Sequence, residues 1–175
     1  ASEGTTTIEV AAVDGAGNRS LSPSVSIRID LTNPQITIGG IASAPVNHSV
    51  TPTILVTDVS PVTLELRLDG NAYAAGTPVT SEGQHRLDVT ARDAAGNQAS
   101  ASATFSIDLT PPMVSIGYPT PGLHTQRSGI EVLGSAEVGS VVRLLAPGFS
   151  ATLPLNTQGQ FGPLRVPLLV GENPI

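Results

Sequence analysis

The chain repeats itself, and the length of the repeat limits what it can fold into. Glu3-Gly4 leads through Ile8-Glu9-Val10 to Asp14-Gly15-Ala16-Gly17-Asn18. Starting 79 positions later, Glu82-Gly83 leads through Leu87-Asp88-Val89 to Asp93-Ala94-Ala95-Gly96-Asn97. Each copy runs on to a junction, Ile29-Asp30-Leu31-Thr32-Asn33-Pro34 and Ile107-Asp108-Leu109-Thr110-Pro111-Pro112. The offset there is 78, so the second copy is one residue shorter. A period of this size is too long for a solenoid unit, which must stack on its neighbours to be stable. It suits a small independent β domain.

The local pattern has period two. Ile8, Val10 and Ala12 alternate with Glu9, Ala11 and Val13, and Leu87, Val89 and Ala91 alternate with Asp88, Thr90 and Arg92. Strand residues two apart share a face, so both apolar sets are expected to face a core. After each Gly-Asn turn a second alternation follows, Val25, Ile27, Ile29 in one copy and Ala103, Phe105, Ile107 in the other. Each copy thus predicts a hairpin.

Between the hairpins the same reading predicts strands at Gln35 to Ile38, at Thr53 to Thr57 and over Leu64, Leu66 and Leu68. The last of these ends at Asp69-Gly70-Asn71, and a short edge segment is expected over Tyr73 to Val79. Beyond Pro111 the strand signals are Ile130 to Gly134, Val141 to Leu145 and Asn156 to Phe161, followed by Gly171-Glu172-Asn173-Pro174-Ile175. No helical period persists over a useful length. The fold class is all-β: tandem sandwich domains joined by short Thr-Pro linkers. Residues 1–32 read as the closing hairpin of one repeat, 33–110 as a complete domain, and 111–175 as a domain lacking its last strands. Pro34, Pro111 and Pro112 fix φ at the joints, so successive domains are expected to hold a preferred angle.

The residues carry a resemblance. Leu68-Asp69-Gly70-Asn71-Ala72-Tyr73, Gly76-Thr77, Glu82-Gly83, Asp93 to Asn97 and Phe105-Ser106-Ile107-Asp108 are similar to bacterial immunoglobulin-like tandem repeats. Gly134-Ser135-Ala136-Glu137-Val138-Gly139-Ser140-Val141 resembles a sister type. The resemblance covers the entire chain and implies immunoglobulin-like β-sandwiches of large surface or adhesin-like proteins, placed outside the cell or on its surface. Such repeats also serve as spacers in secreted carbohydrate-active enzymes, and fold analogy does not choose between these roles. Some surface domains of this kind are locked by Lys–Asn isopeptide bonds. This chain has no Lys, its eight basic residues all being Arg, and no Cys. Its stability is expected to come from ordinary burial.

Asp14 and Asp93 open the two turns, and Asp30 and Asp108 stand at the exits of the closing strands. Hard cations take several oxygen ligands, so Asp14, Asp30, Asp93 and Asp108 form a candidate calcium set, as some repeats of the resembling class hold calcium at their joints. The turn itself explains the pattern more directly. Asp caps backbone N–H groups, Gly takes positive φ, and Asn tolerates it. Neither segment has the dense acidic run of a dedicated site, so the expectation is a turn role with no cofactor required and calcium as the alternative.

Other chemistry is sparse. His48, His85 and His124 lie apart, without metal spacing, and read as lone surface histidines. No nucleophile elbow, phosphate loop or two-histidine helix motif appears, and no enzymatic activity is expected. A net charge of −6 without clustered cations argues against nucleic acid. No apolar run approaches the ~20 residues that span a bilayer, so no membrane insertion is expected within this segment. The three Phe, two Tyr and absent Trp leave little for a sugar-stacking platform, and Tyr73 and Tyr118 read as packing or turn residues. Asn18-Arg19-Ser20 and Asn47-His48-Ser49 match the glycosylation sequon.

The expected partners are neighbouring repeats of the same protein. Ile175 aligns with Leu87 and Ile8, which suits a window cut from a longer array. A second expectation is head-to-tail self-association, with residues 9 to 30 of one molecule completing the open sandwich of residues 111 to 175 in the next and building a filament by strand complementation.

Overall fold

The computed structural model describes residues 2–169 and 171. Strands and turns account for its regular structure, and there is no helix among the described residues. The chain divides into two compact units that meet between Leu109 and Thr110.

The first unit opens with four short strands, β1 (Gly4–Ile8), β2 (Ala11–Val13), β3 (Arg19–Leu21) and β4 (Val25–Ile29). They form one interrupted hairpin. β1 pairs antiparallel with β4, from Gly4↔Ile29 to Ile8↔Val25, and β2 pairs with β3. The expectation that Ile8 and Val10 face a core is corrected, because both are exposed. Alternation gives the strand its apolar face, but no sheet of the described residues packs over it.

Next come β5 (Gln35–Gly39) and β6 (Thr53–Thr57), an antiparallel pair. A four-stranded sheet follows, built from β7 (Val62–Leu68), β8 (Asn71–Ala72), β9 (Gly83–Asp93) and β10 (Gln98–Ile107), in the order β10-β9-β7-β8. Asp69 (φ 52°) and Gly70 (φ 81°) turn the chain between β7 and β8. Two positive φ values in a two-residue loop match the right-handed twist of the flanking strands. The edge strand is therefore Asn71–Ala72, not Tyr73 to Val79. Of that segment, Val79 forms a single bridge to Val50.

Leu87, Val89 and Ala91 on β9 are fully buried, as their alternation predicts. Val50, Val79, Phe105 and Ile107 form a cluster, with Tyr73 packed against it. Val46 pairs in parallel with Ile107, bringing the chain before β6 onto the end of β10. Two paired layers with apolar residues between them are consistent with a β-sandwich.

The second unit holds β11 (Val114–Tyr118), β12 (Gly129–Ala136), β13 (Val142–Ala146), β14 (Phe149–Leu153) and β15 (Gln160–Pro167). Its sheets are β11-β12-β15 and β13-β14. Ile130, Val132, Leu144, Leu153, Phe161 and Val166 form its core. Gly134 sits where backbone and ring converge. A Cβ there would lie 2.1 Å from the Ser115 carbonyl oxygen and 2.5 Å from Phe161 Cζ. The Gly-Glu-Asn signal falls largely on residues 172–175, outside the described residues.

Candidate metal site

Three strand exits of the first unit converge on one acidic group. Asp30 follows β4, Asp58 follows β6, and Asp93 ends β9. One carboxylate oxygen from each lies within 4.8 Å of the others. Asp30 and Asp93 are buried, at 7% and 6% exposure, and Asp58 is half-buried.

Local hydrogen bonds set each carboxylate. Asp93 Oδ1 accepts from the Gly96 and Asn97 amides at 2.7 and 2.8 Å, and its Oδ2 accepts from Asn97 Nδ2 at 2.8 Å. This is the turn role read from the sequence, with Gly96 at φ 101°. Asn97 Nδ2 also donates to the Asp30 carbonyl at 3.1 Å, tying the turn to the end of β4. Asp30 Oδ1 accepts from the Thr32 amide at 3.2 Å, and Oδ2 accepts from Ser60 Oγ. The Ser60 hydroxyl is the main reason that the Asp30 carboxyl lies below its ordinary range; burial opposes it and the charge of Arg28 adds a smaller push. Asp58 Oδ1 accepts from the Ser60 amide at 2.8 Å. Its Oδ2 is buried and has no hydrogen-bond partner.

Three carboxylates this close repel one another if ionised, and a buried acceptor with no donor is costly. A cation on the group would relieve both penalties. Hard oxygens from three segments suit calcium, which takes 6–8 oxygen ligands, some of them water. The residues present therefore fit a calcium ion in ligand chemistry.

The other two residues of the predicted set lie elsewhere. Asp14 is exposed and makes the same turn as Asp93, accepting from the Ala16 and Asn18 amides at 2.9 and 2.8 Å and from Asn18 Nδ2 at 2.7 Å. These bonds, chiefly those from Asn18, lower its carboxyl pKa. Asp108 is exposed beyond β10, and its amide donates to the Val46 carbonyl at 2.9 Å. Neither belongs to the three-carboxylate group. Asp58 is the member that the sequence reading missed. Its signal is modest: an acid at a strand exit, two residues before a Ser that can bond its neighbours.

The reading of His85 as a surface histidine is corrected. Its side chain is buried on β9, opposite Phe105, with ring centroids 5.3 Å apart. Nδ1 lies 2.8 Å from Asp69 Oδ2, and Nε2 lies 2.9 Å from the Ser81 carbonyl. Both neighbours are acceptors, so the doubly protonated ring satisfies both. The Asp69 carboxylate raises the His85 pKa above its ordinary value, against the opposing effect of burial. Asp69 is lowered in turn by His85 and by the Arg86 amide, which donates to Oδ1 at 2.8 Å. The alternation contained the signal, since His85 is two residues before Leu87 on the same face.

Compared with protein-family models and with curated proteins, the chain matches none.

Proposed function

We propose that the chain is a run of structural immunoglobulin-like spacer repeats in the stalk of a bacterial surface or adhesin-like protein, outside the cell, with no reaction assigned to it. The observation that supports this is the pinned joint after β4. Pro34 is fully buried, Asn97 holds the Asp30 carbonyl, and Arg28 Nη1 donates to the Val59 carbonyl at 3.1 Å. A joint tied by side chains from both flanks resists coiling, which is what a spacer of fixed reach requires. Stretching single molecules by their ends tests the reading. Discrete unfolding steps are expected, each releasing about 3.4 Å of contour per residue. A smooth extension without force peaks would overturn it.

Calcium at Asp30, Asp58 and Asp93 is the second part of the reading, supported by the unpartnered Asp58 Oδ2. Bound there, the ion would neutralise the three carboxylates and link the exits of β4, β6 and β9. A ligand that binds only the folded state stabilises it by ~2.7 kcal/mol at a hundredfold excess over Kd. Calcium should therefore raise the melting temperature, chelator should reverse the rise, and Asp58→Asn should remove most of it. A melting temperature indifferent to both leaves these residues as turn formers only.

A further inference from the structure

Two Asn-X-Ser sequons stand on the first unit, and the fold treats them differently. Asn18-Arg19-Ser20 is built into a hairpin. The Asn18 amide donates to Asp14 Oδ1 at 2.8 Å, its Nδ2 donates to Asp14 Oδ2 at 2.7 Å, and its carbonyl accepts from the Asp14 amide at 3.0 Å. Arg19 and Ser20 lie in β3, with Ser20 opposite Ala12. Asn97 makes the same bond to Asp93 Oδ2 at 2.8 Å, yet Gln98-Ala99 follow it and complete no sequon. The turn alone therefore accounts for Asn18.

No such role accounts for Asn47-His48-Ser49. These residues lie outside any strand, between two backbone bridges, and all three are exposed. On one side the Val46 amide donates to the Ser106 carbonyl at 3.1 Å, and the Val46 carbonyl accepts from the Asp108 amide at 2.9 Å. On the other side Val50 is buried and exchanges bonds with Val79 at 3.1 and 2.8 Å. Within the segment His48 Nδ1 donates to the Ser49 carbonyl at 2.8 Å. No other described residue takes the Asn47 carboxamide. The bridges hold the fold to either side, and the sequon stands out from it.

We propose that Asn47 is an acceptor for an N-linked oligosaccharide and that Asn18 is not. The donor class is a lipid-linked oligosaccharyl diphosphate. Asn47 Nδ2 forms a bond to the sugar C1 while the bond from C1 to the diphosphate oxygen breaks. The diphosphate leaves with that electron pair, and the proton from Nδ2 passes to a base of the transferase. A carboxamide nitrogen attacks only when its lone pair is free to turn toward the sugar. At Asn18 that would cost a charge-assisted bond to Asp14 and the turn it holds. A surface loop is where such a modification is tolerated. Its occurrence in the producing cell rests on the extracellular placement proposed above; the acceptor property of Asn47 does not.

The test supplies enzyme and donor directly. The folded 175-residue chain is incubated with a purified oligosaccharyltransferase and a lipid-linked oligosaccharide, with a short Asn-X-Ser peptide in the same tube as the activity standard. Mass spectrometry of the intact chain and of its peptides reads the result. One glycan per chain is expected, on Asn47, with Asn18 bare. Ser49→Ala should remove it and Ser49→Thr should keep it, both without change in circular dichroism. An unmodified Asn47 beside a modified standard, a glycan on Asn18, or a glycan on Asn47 that survives Ser49→Ala would each overturn the proposal. None of these outcomes bears on the spacer reading, which the stretching experiment judges by itself.

Discussion

Val10 and Val89 occupy the same place in the sequence repeat and opposite environments in the structure. Val89 is fully buried and Val10 is 63% exposed. Truncating either to Ala removes two carbons, at about 0.8 kcal/mol each when buried. At Val89 the transfer loss is ~1.6 kcal/mol, and the cavity left behind raises it to about 2–3 kcal/mol. At Val10 only about a third of the side chain is covered, so the same change costs roughly 0.5 kcal/mol. Any loss of intrinsic strand preference is common to both and cancels in the comparison. The remaining difference is about 2 kcal/mol, or about 8 °C in melting temperature at roughly 4 °C per kcal/mol. Urea and thermal unfolding at high dilution measure it, with amide exchange on β9 to identify the first unit. Equal losses at the two positions would mean that Val10 is as covered as Val89. The exposure of the hairpin face would then be wrong. A negligible loss at Val89 would refute the core assignment itself.

Gly134→Ala should destabilise the second unit by about 3 kcal/mol or more, since its Cβ would meet a carbonyl and a packed ring. Amide exchange should accelerate in β12 while β9 keeps its protection; unchanged protection in β12 would refute the close approach. The His85–Asp69 pair should give stability a dependence on pH. The raised His85 contributes fully below its ordinary value of 6.5 and loses that contribution as pH rises through its folded value, while the lowered Asp69 contributes above 3.8 and is lost as pH falls through its own. Melting temperature should therefore decline above neutrality more in wild type than in His85→Gln, and parallel profiles would refute the role of the pair.

Features set by neighbours in the chain were legible before the structure. The Asp93 to Asn97 turn works as read, because Asp side chains bond amides two to four residues on and Gly supplies the positive φ. The strand at Thr53–Thr57 matches its alternation, and Leu87, Val89 and Ala91 form the buried face of β9. Features set by distant partners were not legible. Ile8 and Leu87 look alike in sequence, and only the presence of an opposing sheet separates them. Asp58 joins Asp30 and Asp93 through the pairing of strands, across separations that no local pattern records. Tyr73 to Val79 read as an edge segment, but the two-residue turn at Asp69 and Gly70 spends the pairing on Asn71–Ala72.

β9 connects the two polar clusters and explains why both occur. The inward face of its middle is apolar, with Leu87, Val89 and Ala91 sealed from water. Its ends must leave that core, and each does so through a buried polar residue. At one end His85 meets the Asp69 carboxylate, and the protonated ring balances the charge within the protein. At the other end Asp93 lies with Asp30 and Asp58, the group proposed above to take calcium. Eight residues separate His85 from Asp93, about 27 Å along a strand at ~3.4 Å per residue. At that distance and an effective dielectric constant of ~20, two unit charges interact by only about 0.6 kcal/mol, so the two clusters should respond largely separately. Near neutral pH, the decline in stability through His85 should keep its size whether calcium or chelator is present. Calcium-dependent stabilisation should likewise survive His85→Gln unchanged. A calcium effect that vanished with His85 would mean that the two ends of β9 are coupled through the strand itself, contrary to the charge balance drawn at each end.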